Sequence, residues 1–403
     1  MAEERSKDIF EQLPAYPKPP LVPLPEFGEI QSMERMGIRI NRTSSAILNT
    51  FFTLSGFRAY WRKFPQLEEE ALRNGTLRLP GLFLPLISAT AGFSDDPRRP
   101  GMIDRACTLL FAVHSLFADV FSGSFPPDEL KGQALEMGQY PNLFSTSLVI
   151  EGKNVRMFKS TETAQVTVIA GGRIYLLQTG ATVGGVAFAQ VREALEAIVQ
   201  DAQARPLPAG QPRPGWLTCG SDATQLRIFN NLVKLDPENA RSLQALRHSL
   251  FTLCLDLDSN PETDEDAAYQ IHVGRLDNRW FHSSLQLVAT ANGKAGAVIN
   301  FTTNLDGNVM SRAAAEIQRR ASQWALPSPD ESPSPAAPLP WRELKFTILP
   351  RMEAAARADI EPLLEPQPVT FTLPNFSRKV CCEKGIDPVS TFSSSSIRSG
   401  KRP

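Results

Sequence analysis

The chain has 403 residues, 42% of them hydrophobic, with 42 Lys+Arg against 43 Asp+Glu. That length suits roughly two to three domains or one large two-lobed one. The charge balance argues against a general nucleic-acid binder or a membrane-surface binder. Five scattered cysteines, with Cys381 and Cys382 adjacent and none in C-x-x-C spacing, point to free thiols in a reducing compartment.

The N-terminal MAEERSKDIF is charged and has no apolar signal core, and no run of about 18 apolar residues suggests a membrane span. The terminal GKRP is no peroxisomal or reticular address, so a cytoplasmic location is the expectation. LPAYPKPPLVPLPE (13–26) is Pro-dense and should lie extended over a surface, within an N-terminal segment, 1–95, of Pro-rich chain and helices. Ile103, Cys107, Leu110, Phe111 and Phe117 mark a helix. TAQVTVIAGGRIYLLQT reads as two strands around Gly171-Gly172. VAFAQVREALEAIVQ is helical through Phe188, Val191, Leu195 and Ile198. Asp236-Pro237 is an N-cap with Pro at the first helical position, opening a helix predicted through Leu243, Leu246, Leu250 and Cys254. WFHSSLQLVAT and KAGAVINFTT flank Ala291-Asn292-Gly293, and Asn-Gly is a strong hairpin signal. SRAAAEIQRRASQW (311–324) is a further helix, and LPSPDESPSPAAPLP (326–340) reads as a linker. Helices and hairpins intermix, so an α/β class with a mixed, helix-covered sheet is predicted over 96–325.

Several segments, in order, resemble the choline/carnitine acyltransferase family. GQYPNLFSTSLVI (138–150) is similar to its "QY…lFgTTR" segment, and GGRIYLLQ (171–178) to its "rrGrfYalq" strand pair. ENARSLQALRHSLFTLCLD (238–256) resembles "eNaeaLe…alfvvcLD", and DNRWFHSSLQLVATANGKAGAVINFTTNLDG (277–307) resembles "gNRWFDKsLQlivf.dGraG.nfEHs..DG". FTLPNFSRKVCCEKGIDPVSTF (371–392) is similar to the start of the CoA-binding segment. The resemblance implies a two-lobed mixed-sheet sandwich of the carnitine acyltransferase, or chloramphenicol-acetyltransferase-like, type. It implies acyl transfer between a CoA thioester and the hydroxyl of a carnitine-like acceptor, with CoA or acyl-CoA as substrate and no tightly bound cofactor. A monomer with no nucleic-acid partner is expected. The family's second lobe continues beyond this chain's 341–403, whose tail TFSSSSIRSGKRP reads as low-complexity, so an incomplete second lobe and a truncated product are expected.

The family uses one histidine of "EH…DG" as general base, a role suited to a pKa near 7. Counted back from Asp306-Gly307 that position falls on Thr302; counted forward from Gly296 it falls on Phe301. Neither residue is a base at neutral pH, so impaired transfer or a non-catalytic binding role is expected. By resemblance, Arg279 of NRWF pairs with Asp306, an ion pair that holds the fold. Arg378 and Lys379, with Lys384 nearby, occupy the lysine pair that meets CoA phosphates. Of the four histidines, His114 reads as core or boundary, His248 as solvated and His272 as structural, and no pair has metal-ligand spacing. His282 replaces the family Asp and is the candidate substitute base. A two-residue Asn292-Gly293 turn would set it opposite Thr303, and the extra residue before Asp306 could form a bulge.

Overall fold

The computed structural model describes residues 83–130, 132–152, 154–180, 188–324 and 339–364. Its strands are β1 (Ala89–Phe93), β2 (Glu129–Leu130), β3 (Gln133–Ala134), β4 (Thr146–Glu151), β5 (Asn154–Lys159), β6 (Gln165–Ala170), β7 (Arg173–Gln178), β8 (Thr252–Asp256), β9 (Leu285–Thr290), β10 (Ala295–Ile299) and β11 (Trp341–Leu344). Its α-helices are α1 (Leu84–Ile87), α2 (Met102–Ser122), α3 (Phe188–Ala204), α4 (Asp222–Leu235), α5 (Pro237–Arg247), α6 (Asp264–Tyr269), α7 (Gly307–Gln323) and α8 (Pro350–Ile360). Seven strands form one mixed sheet in the order β1-β10-β9-β8-β6-β7-β11. β6, β8 and β9 run parallel; the remaining neighbours are antiparallel.

Both expected hairpins form. Gly171 and Gly172 take φ of 59° and 77°, which a tight two-residue turn with positive φ at both positions requires. The β9–β10 loop has three residues rather than two. The Thr290 N–H donates to the Lys294 carbonyl and the Gly293 N–H to the Thr290 carbonyl, each at 2.9 Å. Gly293 sits at φ 81°, and a Cβ there would lie 2.6 Å from the Pro100 carbonyl oxygen, so glycine is needed on both counts. Ala289 therefore pairs with Ala295, one residue away from the two-residue register.

One face of the sheet is apolar. Val166, Val168, Leu253, Leu255, Leu285, Leu287, Ala295 and Ala297 pack under α2, α3 and α7. α2 is long and apolar enough to cross a membrane by length and composition, with a mean hydropathy of 1.3, and here Arg105–His114 is buried within this core. The opposite face carries Cys254, Asp256 and Gln286. It is covered by α6, by a π-turn at Gln270–Gly274 and by 3-10 turns at Pro214–Thr218 and Leu276–Asn278. α4, α5, α8 and the β4–β5 hairpin build the layer beyond.

α5 starts as predicted, with the Asp236 carboxylate accepting from the Glu238 N–H, but it ends at Arg247. Leu250 and Cys254 belong to the approach to β8 and to β8 itself. Thr252–Asp256 is buried on both faces between two parallel neighbours, and such strands read as continuous apolar runs rather than alternating ones. The sheet also takes in chain on both sides of the expected boundaries. β1, placed with residues 1–95, pairs with β10; β11 and α8, placed with the second lobe, belong to one compact unit that ends at Ile360. Pairing of β11 with β7 buries Leu344 and stands Trp341 edge-on against Tyr175. A second unit begins at Glu361.

Candidate active site

β10 ends at Ile299 and the chain turns through Asn300, a 3-10 turn at Phe301–Thr303, and Asn304 in the left-handed region at φ 59°. Asn300 is 2% exposed and organises the turn. Its N–H donates to the Ser284 carbonyl and its side-chain N–H to the Phe281 carbonyl, each at 2.8 Å. Its Oδ1 accepts the Thr302 N–H at 2.9 Å and the Thr302 hydroxyl at 2.7 Å. The buried Thr303 hydroxyl donates to the Asn300 carbonyl at 2.8 Å, and the Ser284 hydroxyl donates to the Asn142 carbonyl at 2.6 Å. The extra residue is thus absorbed by the 3-10 turn and the left-handed Asn304, not by a bulge. Phe301 points outward, 45% exposed.

Arg279 and Asp306 are not partners. Arg279 meets Asp256, with Nη1 and Nη2 each 2.8 Å from a carboxylate oxygen and both side chains fully buried. Its remaining N–H groups donate to the carbonyls of Ile271, Gln270 and Asn278, and the Asn278 amide donates to Asp256 Oδ1 at 2.8 Å. Burial alone would lower the guanidinium pKa; the charge of Asp256 and the hydrogen bonds to it prevail and hold it above the ordinary value. Asp256 closes the central strand β8 beneath Arg279. Asp306 stands exposed at the head of α7, where its carboxylate caps the helix by accepting the Asn308 and Val309 N–H groups at 3.0 and 3.1 Å. Sequence reasoning passed over Asp256, although an aspartate closing the apolar run TLCL stood out as a buried charge in need of a partner.

His282 is buried and turned toward α4. Its Nε2 is 2.7 Å from Gln225 Oε1, and its ring packs on Phe229 at 4.9 Å and stands edge-on to Trp280 at 5.7 Å. The residues of the Thr302 hydrogen-bond network are not among these partners. The ladder that would have set His282 opposite Thr303 stops at Leu285 and Ile299. His248, expected to be solvated, is half-buried at the end of α5, with Nδ1 2.7 Å from the Ser160 hydroxyl and the ring edge-on to Phe158. His272 Nε2 lies 2.7 Å from the Pro85 carbonyl oxygen. His114 is buried against Phe251, and desolvation pushes its pKa down to about 4. Cys107, Cys219 and Cys254 are buried and their thiols pushed up by burial, Cys254 to about 12, so none of the three offers a thiolate. Among the described residues no group of three or more His, Cys, Asp or Glu could hold a metal. Arg378, Lys379 and Lys384 lie outside the described residues.

A mixed helix-covered sheet thus closes on a Thr-Thr turn held by Asn300. The model of the Choline/Carnitine o-acyltransferase family matches residues 82–363. The chain belongs to that family. Among its relatives, mouse carnitine O-acetyltransferase is 26% identical over 269 residues, covering 63% of this chain and 41% of the relative. Human choline O-acetyltransferase is 26% identical over 314 residues, covering 70% and 39%. A highly reducing polyketide synthase of Aspergillus luteorubrus, ltbA, is 37% identical over 84 residues, 21% of this chain and 3% of the synthase. The chain spans less than half the length of these relatives. In this member of the choline/carnitine O-acyltransferase family, the turn after β10 carries hydroxyl and amide groups that donate and accept hydrogen bonds. None of them takes a proton at neutral pH.

Proposed function

We propose that this chain is an acyltransferase of the choline/carnitine type whose transfer centre is impaired. The reaction class is attack of an acceptor hydroxyl on the carbonyl of an acyl thioester. The new C–O bond forms, the C–S bond breaks, and the hydroxyl proton passes to the leaving thiolate sulfur, which departs as the free thiol. A general base that relays that proton contributes about 10²–10⁴-fold in rate. The observation that carries the reading is the hydrogen bond from the Thr302 hydroxyl to Asn300 Oδ1 at 2.7 Å. Of the two positions on which the family histidine falls by resemblance, Phe301 carries no titratable group and Thr302 is a donor already committed to the turn. Positioning of donor and acceptor is then the contribution left to the protein.

Coenzyme A thioesters are the donor class that the family suggests. A role in binding the thioester without turning it over is the alternative, and calorimetry with CoA separates the two: heat of binding without release of free CoA marks the binding role. The impaired-centre reading is tested with Thr302→Val. Any residual release of free CoA from acyl-CoA and carnitine stays unchanged, because the hydroxyl takes no part. Loss of that release on substitution would make Thr302 a participant and overturn the reading.

A further inference from the structure

The end of α7 carries a charge pattern of its own. In Arg319-Arg320-Ala321-Ser322 two arginines stand three and two residues before a serine. Kinases select substrates by such charge patterns, and the basophilic class meets paired arginines with carboxylates in its substrate groove. Ser322 lies in the last turn of α7 and is exposed, and its hydroxyl donates to the Arg319 carbonyl of its own helix at 2.9 Å. Across from it, Arg98 has a side chain 48% exposed and donates from Nη2 to the Ser322 carbonyl. Arg99 donates to the carbonyl of Trp324, just past the helix end. Arg98, Arg99 and Arg105 all face the single carboxylate of Asp96, while Asp95 pairs with Lys294. The loop on which α7 ends therefore sets three guanidinium groups against one carboxylate, right beside an exposed hydroxyl.

We propose that Ser322 is a phosphorylation site for a basophilic serine kinase, and that Arg98 and Arg319 hold the phosphate. ATP supplies the γ-phosphoryl group. The bond from phosphorus to the Ser322 oxygen forms, the bond to the bridging oxygen of ADP breaks, and the hydroxyl proton passes to the kinase's base. The product carries about −1.5 to −2 charge and three acceptor oxygens. Arg98 already reaches the backbone of Ser322, so a phosphate on the same residue falls within its range. Arg319, three residues earlier, shares the helix face. The negative end of the helix dipole opposes a phosphate here, and charge-assisted bonds from two guanidinium groups offset it. Before transfer both recognition arginines are held. Glu316 accepts from Arg319 at 2.9 Å and from Arg320 at 2.7 Å, and Asp119 pairs with Arg320 at 2.6 Å. The kinase therefore acts when the last turn opens, and helix ends are where fraying concentrates. The site sits at the opposite end of α7 from the Thr302 turn, so it does not depend on whether that turn supports transfer.

The full chain is incubated with Mg-ATP and the catalytic subunit of cyclic-AMP-dependent protein kinase, which prefers Arg-Arg-x-Ser. The folded fraction is then isolated by gel filtration and its phosphate located by mass spectrometry. Phosphate on Ser322 is expected. Arg319→Gln combined with Arg320→Gln slows its incorporation at least about tenfold, since the kinase loses both charges that it reads. Glu316→Gln, which loosens both arginines, speeds it. Phosphorus NMR reads the hold on the product, with the Ser322 resonance assigned by its loss in Ser322→Ala. The second pKa of that phosphate falls below the value of about 6 for a free phosphoserine, and Arg98→Gln moves it back up. No phosphate on Ser322 in the folded fraction would overturn the proposal, as would incorporation indifferent to the arginine pair or a phosphate pKa indifferent to Arg98→Gln. None of these readouts involves acyl transfer, so they are separate from any failure of the transfer reading.

Discussion

At the scale of single residues, His114, the Arg279–Asp256 pair and Thr302 answer to three different conditions. His114 has neither ring nitrogen hydrogen-bonded among the described residues, and burial holds it neutral with a pKa near 4 against 6.5 for a free imidazole. The unfolded chain therefore takes up a proton as pH falls through about 6.5, while the folded chain does not until about 4. Stability is lost across that window, by up to about 3 kcal/mol. Urea unfolding of the wild type and His114→Leu at pH 7 and pH 4.5 checks this: the wild type loses more between the two than the variant does. Arg279 and Asp256 are both fully buried, so removing one partner leaves a bare charge. Asp256→Asn is expected to cost about 3–5 kcal/mol, and Asp256→Leu combined with Arg279→Met to recover much of it. Thr302 differs from both. It is half-buried and held by one neighbouring amide, so its substitution should change stability little.

At the scale of elements, Asp306 is decided by its helix. As an N-cap of α7 it should cost about 1 kcal/mol on substitution by Ala, measured by chemical unfolding. A loss as large as that of Asp256→Asn would instead make it an ion-pair partner. The hairpins were legible because their turn chemistry is local: Gly171-Gly172 and Asn292-Gly293 announce positive φ. The length of the second loop was not legible, since Asn-Gly fits a two-residue turn and also the end of a three-residue one. That choice was made by the close approach of Gly293 to Pro100, nearly two hundred residues away in the chain. The same limit explains β8. A strand buried on both faces has no alternation, so Leu250 and Cys254 could be read as the continuation of a helical stripe. The edge strands β1 and β11 are short and partly polar, and only their partners β10 and β7 make them strands.

At the scale of the whole molecule, the mixed sheet and its helical cover follow from the order of helix and hairpin signals, and the family follows from segments such as NRWF and SLQ kept in sequence. The absence of a histidine was legible as a residue type, because none stands at 301 or 302. The hydrogen bonds that hold Thr302, and the partners of Arg279 and His282, depend on which strand ends meet in space and could not be read from spacing. The central claim is that the turn after β10 supplies no general base. It is tested most directly by following free CoA released from acyl-CoA and carnitine, with this protein and mouse carnitine O-acetyltransferase side by side. The account predicts release at least about a hundredfold slower for this chain, the lower bound of what a relayed proton contributes. Equal rates would contradict it.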